Sequence, residues 1–168
     1  MDTLWAGWRS KYVGSSQKSS GCIFCDFART DELEANHILY RGELSYIVMN
    51  KFPYSNGHLM VIPKRHLSDF TLLTAEESAE VMHLARYAVA ALRDTYSPHG
   101  FNIGWNIGSA GGAGIAAHMH MHIVPRWEGD TNFMPVIGET KVIPEDLDVS
   151  FARIKSSLDR ILAAAGHE

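Results

Sequence analysis

The sequence predicts an α+β domain built on a mainly antiparallel sheet, with one long helix and a C-terminal helix. Three observations carry that prediction. Short apolar runs recur between Gly, Pro and Asn signals, as hairpin-linked strands do. One long stretch, from Thr74 to Tyr96, switches to helical period. A second helical pattern, "FARIKSSLDRILAA", follows near the end of the chain, from Phe151 to Ala164.

Taken in order, residues 1–20 read as an N-terminal arm. Aromatic anchors Trp5, Trp8 and Tyr12 precede the Ser-rich "GSSQKSSG". Such an arm either covers a neighbouring subunit or folds back on its own domain. Residues 21–168 then form one domain with a C-terminal extension. Its first strands are "HILYR", "SYIVMN" and "HLMVIP". The long helix opens on a capping box, Thr74 with Glu77 three residues on. Val81, Leu84, Ala85, Ala88, Val89 and Leu92 then repeat on one face. Pro98 and Gly100 end it. "GFNIGWNIG" reads as a strand, "SAGGAG" as a glycine loop and "HMHMHIV" as the last strand. No internal repeat is present.

At 168 residues the chain is long enough to bury a real core. Its formal net charge of −4 gives no global basic field, so a nucleic-acid partner is not expected and any phosphate site must be local. No segment approaches the roughly 18 apolar residues of a membrane span. The N-terminus lacks the apolar run of a secretory signal. With only Cys22 and Cys25, spaced Cys-x-x-Cys, a cytoplasmic protein with a metal or redox site is expected rather than a structural disulfide.

Three of the nine histidines fall at alternate positions, His118, His120 and His122. On a strand they share one face, roughly 6–7 Å apart, while Met119, Met121 and Ile123 turn into a core. The competing explanation is a polar strand edge with solvated histidines. Imidazoles so aligned offer metal ligation, proton transfer near neutral pH or nucleophilic attack. The loop "SAGGAG" runs into them. Glycines let backbone N–H groups converge on an anion, although a plain hairpin loop has the same composition. Cys22 and Cys25 supply two of the four ligands a tetrahedral zinc needs. His66 and one histidine of the triad are the candidates for the other two. A redox Cys-x-x-Cys is the rival, without its usual βαβ context.

From about Gly21 to Trp127 these motifs together resemble the histidine-triad (HIT) family, whose signature is His-φ-His-φ-His-φ-φ with φ apolar. Here it reads His118-Met119-His120-Met121-His122-Ile123-Val124, after "NGHLMVIPKRH" and "NIGS". The flanks "LWAGWRSKY", "PRWEGD" and "NFMPVIGETKVIP" are similar to a bacterial branch that includes diadenosine tetraphosphate phosphorylases. The resemblance implies a HIT-like fold and a nucleotidyl transferase or hydrolase acting on dinucleoside polyphosphates or related adenosine nucleotides. It implies His120 as a nucleophile that becomes adenylylated at the α-phosphorus, assisted by His122 and His58. Asn106, Gly108 and Ser109 would lie along the phosphates and leaving group. Asn50 stands where relatives carry an acidic residue for the ribose. Cys22, Cys25, His66 and His118 match the structural zinc ligands. Inorganic phosphate or water would accept the AMP, and a homodimer or larger homo-oligomer is implied.

Three departures, of which Asn50 in place of the acidic residue is one, and three rival readings accompany it. "GGAGIAAH" lacks the Gln-Ser or Gln-Thr pair that many relatives carry before the triad, which argues against the phosphoramidase branch. The arm has Gly7 where a proline is expected. The rivals are a nucleoside phosphoramidase, a nucleotide-binding module with little turnover, and a catalytic zinc held by all three histidines.

Overall fold

A computed structural model describes residues 21–131 and 143–166. The expected arm at 1–20 and the flank from 132 to 142 lie outside them. Five strands form one antiparallel sheet: β1 (Ile38–Arg41), β2 (Ser45–Met49), β3 (Leu59–Pro63), β4 (Gly100–Trp105) and β5 (Met121–Arg126). Their spatial order is β1-β2-β3-β5-β4. β5 is therefore an interior strand, between β3 and the edge strand β4. Its register sets Met60 opposite His122 and Val61 opposite Met121.

Because side chains alternate across a pleated sheet, that register sorts residues into two layers. Leu39, Ile47, Met49, Leu59, Val61, Met121 and Ile123 face one side. Two helices close over them, α2 (Ala75–Tyr96) and α3 (Leu147–Ala165), packed on each other. Val81, Leu84, Ala88 and Leu92 of α2 meet Phe151, Ile154 and Leu158 of α3 there. Ile154 and Leu158 are fully buried, each contributing about 1.5–3 kcal/mol of hydrophobic stabilisation. Ile38, Tyr46, Val48, Met60 and Ile62 face the other side, covered by the short helix α1 (Ile23–Arg29) through Phe24.

The capping box forms as expected: Thr74 Oγ1 accepts from the Glu77 amide and the Glu77 carboxylate accepts from the Thr74 amide. The same carboxylate takes the Arg65 guanidinium at 2.6 Å, which ties the segment after β3 to the start of α2. Ser97 ends α2 in the left-handed conformation, φ 47°, and Pro98 follows. Gly57, also left-handed at φ 71°, lets the backbone before β3 approach α2. A Cβ there would lie 2.9 Å from Leu92 Cδ2 and 3.1 Å from the Tyr96 ring.

Three expectations are corrected. α1 has no counterpart in the predicted elements; seven residues are too few for a period to show. The last helix begins at Leu147, capped by Asp146, four residues before the apolar repeat becomes visible. The last strand begins at Met121, so His118 and His120 precede it. The pairing of β5 with β3 and with β4 ends at Met121, opposite Val61 and Trp105. The chain ahead of β5 is tied instead to the segment after β3, where the Met119 amide donates to the Leu67 carbonyl at 2.8 Å. No helix among the described residues is long and apolar enough to cross a membrane.

Candidate functional site

The histidines still alternate, and each has its own partner. His118 is fully buried and donates its Nε2–H to the Pro63 carbonyl at 2.8 Å. Its Nδ1 lone pair then points at the cysteines, 3.3 Å from Cys22 Sγ and 3.6 Å from Cys25 Sγ. His66 Nδ1 lies 3.3 Å from Cys25 Sγ. The four donor atoms are all within 4.8 Å of one another. A tetrahedral zinc with bonds of about 2.1–2.3 Å holds its ligands roughly 3.4–3.8 Å apart, so donor set and spacing fit zinc. The Pro63 carbonyl behind His118 is the outer partner that fixes a ligating tautomer. Burial holds His118 below the ordinary imidazole range, which favours the neutral, ligating form. Burial and then Cys22 raise the Cys25 thiol, an effect that a bound cation reverses.

His120 donates Nδ1–H to the His118 carbonyl at 3.0 Å. In a neutral ring this leaves the lone pair on Nε2. Burial pushes its pKa down, so the neutral form prevails at pH 7. Its ring packs on Phe24, centroids 5.0 Å apart, and on His122, 4.8 Å.

The third histidine belongs to a chain of fixed direction. The Tyr54 backbone N–H donates to His58 Nδ1 at 3.0 Å. A backbone amide cannot reverse, so neutral His58 carries its proton on Nε2 and donates to His122 Nδ1 at 2.9 Å. His122 in turn carries its proton on Nε2, towards the Asn106 side-chain amide 3.3 Å away, which accepts through its oxygen once turned end for end. Burial, then the neighbouring His120, push His122 down to about 4. His122 is therefore a neutral N–H donor at pH 7. The Tyr54 ring packs on both His58 and His122, at 4.6 and 5.5 Å.

The three imidazoles do not converge on one point, and among the described residues the metal-competent group is the Cys22–Cys25–His66–His118 set alone. The three-histidine zinc reading is thereby set aside.

A cavity of about 220 Å³ opens beside the triad. Ile23, Phe24 and Phe27 of α1, with Phe52, Met60 and Ile115, make an apolar wall, while Asn50, Lys51, Tyr54, His120 and His122 form the polar end. Asn50 is buried; its Oδ1 accepts from the Phe52 amide at 2.9 Å and its Nδ2 lies 3.3 Å from His58 Nδ1. The glycine loop supplies Gly114 and Ile115 to the wall. Gly111 is obligatory there, since a Cβ would sit 2.3 Å from the Ile107 carbonyl oxygen. Gly108 and Ser109 are exposed and outside the cavity lining. Phe24, Phe27, Phe52, Tyr54 and Ile115 carry no sequence signal that singles them out. Only the spacing of Phe24 inside the Cys-x-x-Cys offered a hint.

Three alternating histidines at the start of an interior strand, a cavity at the second and third, and a Cys/His cluster at the first define a histidine-triad domain. The HIT domain family model matches residues 32–129, more than half of the chain, and the chain belongs to the HIT family. The AP-4-A phosphorylase of Mycobacterium tuberculosis is 40% identical over 152 residues, covering 86% of this chain and 78% of that protein. The Bacillus subtilis Protein hit is 30% identical over 149 residues, 88% of this chain and 98% of that one. Among solved structures, a Zn-bound histidine triad family protein from Mycobacterium smegmatis superposes with a TM-score of 0.70 at 26% identity, covering 88% of this chain and 99% of that chain.

Proposed function

We propose that the chain splits dinucleoside polyphosphates, with diadenosine tetraphosphate as the type substrate, through an AMP carried on His120. The observation that supports this most directly is the Nδ1–H bond from His120 to the His118 carbonyl, which leaves Nε2 as the nucleophile on a ring that lines the cavity. In the first step Nε2 bonds to the α-phosphorus as the bond to the bridging oxygen breaks, and ATP leaves. In the second, an oxygen of inorganic phosphate bonds to that phosphorus as the P–N bond breaks, giving ADP. If water attacks instead, the product is AMP.

The neutral His122 N–H meets charge that develops on the phosphorus oxygens, and His58 holds that proton in place. Removing such a donor typically costs roughly 3–4 kcal/mol of transition-state stabilisation. The apolar wall suits a nucleoside, with Asn50 placed for the ribose and Asn106 for the phosphates. Gly108 and Ser109 reach the leaving group only if their loop moves inwards. Cys22, Cys25, His66 and His118 would hold zinc as a structural ion, apart from the reacting atoms. The similarity to an AP-4-A phosphorylase favours phosphate over water as acceptor. Self-association belongs to the same reading: β4 is an edge strand with Ile103 exposed, a surface that a second copy can cover by extending the sheet.

Chromatography of products from diadenosine tetraphosphate, with and without inorganic phosphate, tests the proposal. ADP plus ATP, only when phosphate is present, is the expected result. AMP plus ATP regardless of phosphate makes water the acceptor. An absence of turnover under both conditions sinks the dinucleotide reading.

A further inference from the structure

The Cys-x-x-Cys encloses Ile23 and Phe24, so both thiols act on the helix turn that carries Phe24. Cys22 is the N-cap of α1 and Cys25 lies within it. The Phe24 ring is almost fully buried and touches two histidines at once. It meets His118 edge-on, centroids 5.6 Å apart and planes at 87°, and His120 at 5.0 Å and 54°. Its backbone carbonyl accepts the Tyr46 hydroxyl at 2.8 Å, anchoring this turn of α1 to β2. Among the described residues His120 has one polar tether, Nδ1 to the His118 carbonyl, and a single bond at one ring nitrogen fixes the tilt of the ring only loosely. Its ring contacts with Phe24 and with His122 limit that tilt further.

We propose that Phe24 is a positioning residue that transmits the state of the Cys22–Cys25–His66–His118 cluster to the ring of His120. A zinc held by both thiols fixes the first turn of α1 and thereby the Phe24 ring. When the thiols release it, α1 retains the Tyr46 bond at Phe24, and Arg41 at its far end, where the guanidinium donates to the Phe27 and Thr30 carbonyls. The turn before Phe24 then has no side-chain cap. The Phe24 ring is freed to tilt, and His120 follows. The nucleophilic role of His120 rests on the function proposed above; the coupling does not, because it concerns where the ring stands.

Histidine ring signals of 15N-labelled protein test this without turnover. Zinc-loaded wild type is compared with the same sample after chelation and after zinc is restored, and the series is repeated on Phe24→Leu. The expected result is a displacement of the His120 ring signals on chelation that reverses with zinc. In zinc-loaded Phe24→Leu the signals should start displaced, and chelation should move them less than half as far. Equal chelation shifts in both proteins would assign the coupling to the His118 backbone and overturn the role of Phe24. Unmoved His120 signals in chelated wild type overturn it as well. Should Phe24→Leu not fold, Tyr46→Phe decides: it removes the tether that remains at Phe24 once zinc is released, so chelation should displace His120 further than in wild type, and an equal or smaller displacement overturns the proposal.

Discussion

On the side of the sheet covered by α2 and α3, Leu59, Val61, Met121 and Ile123 meet Leu84, Ala88, Ile154 and Leu158, apolar on apolar. On the side covered by α1, the same central region of the chain presents buried His58, His118, His120, His122 and Asn50. The two sides obey different rules. The helical side needs matched volume and period, which neighbouring residues along one element can supply. The histidine side needs a hydrogen-bond or ligand partner for every buried polar atom, and those partners come from distant segments. Apolar packing and the buried polar network are therefore carried by opposite faces of the same strands, one residue apart.

That contrast can be broken by substitution. The largest effect is expected from His120→Ala: under the proposed function, turnover of diadenosine tetraphosphate falls roughly 10⁴-fold or more, equivalent to about 5–6 kcal/mol of barrier, the loss typical of a removed nucleophile. Its thermal unfolding should move less than that of a core truncation on the helical side. Leu158→Ala is that truncation, expected to cost about 2–5 kcal/mol in urea unfolding while the folded fraction keeps its turnover. If Leu158→Ala lost activity per folded molecule as severely as His120→Ala, the division between faces would fail.

Acid should discriminate the faces next. His122 has its folded pKa pushed down to about 4, against roughly 6.5 in an unfolded chain. Between those values the unfolded chain binds a proton that the folded one does not, so this contribution is present above the unfolded value and is lost as the pH falls through about 4. On the order of 3 kcal/mol is at stake from His122. Urea midpoints at pH 7 and pH 4.5 should differ in wild type and in Leu158→Ala alike, and differ less in His122→Gln. The smallest effect belongs to the exposed Lys155–Asp159 pair of α3, where Asp159→Ala should change stability by no more than about 0.5 kcal/mol.

What could be read from the sequence follows the same line. The capping box at Thr74 and Glu77, the repeat from Val81 to Leu92 and the alternation at His118, His120 and His122 are local patterns, and each appears in the structure. The Cys22–Cys25–His66–His118 grouping also forms, although its members come from three parts of the chain, because family resemblance supplied what spacing could not. The proton order from Tyr54 through His58 to His122 was not legible. It depends on a backbone amide meeting a ring and on β3 lying beside β5, and neither leaves a periodic trace. α1 was missed for the opposite reason: it is too short for periodicity, and it is tethered by Arg41, Tyr46 and the cysteines rather than by its own propensity. Alternation carries the expected last strand back to His118, ahead of the observed start at Met121, because it describes an extended chain whether or not neighbours pair with it.

Gly57 has a consequence for how this chain can change over generations. It is buried against Leu92 and Tyr96 on the helical side, and the next residue is His58. A bulkier side chain drifting into either helix position presses on a backbone whose neighbour carries a histidine ring. The amino acids permitted at 92 and 96 are thus restricted by a histidine on the opposite side of the sheet. Variation in the helix that would pass as harmless repacking elsewhere is, at these two positions, inherited together with the alignment of the His58–His122 pair.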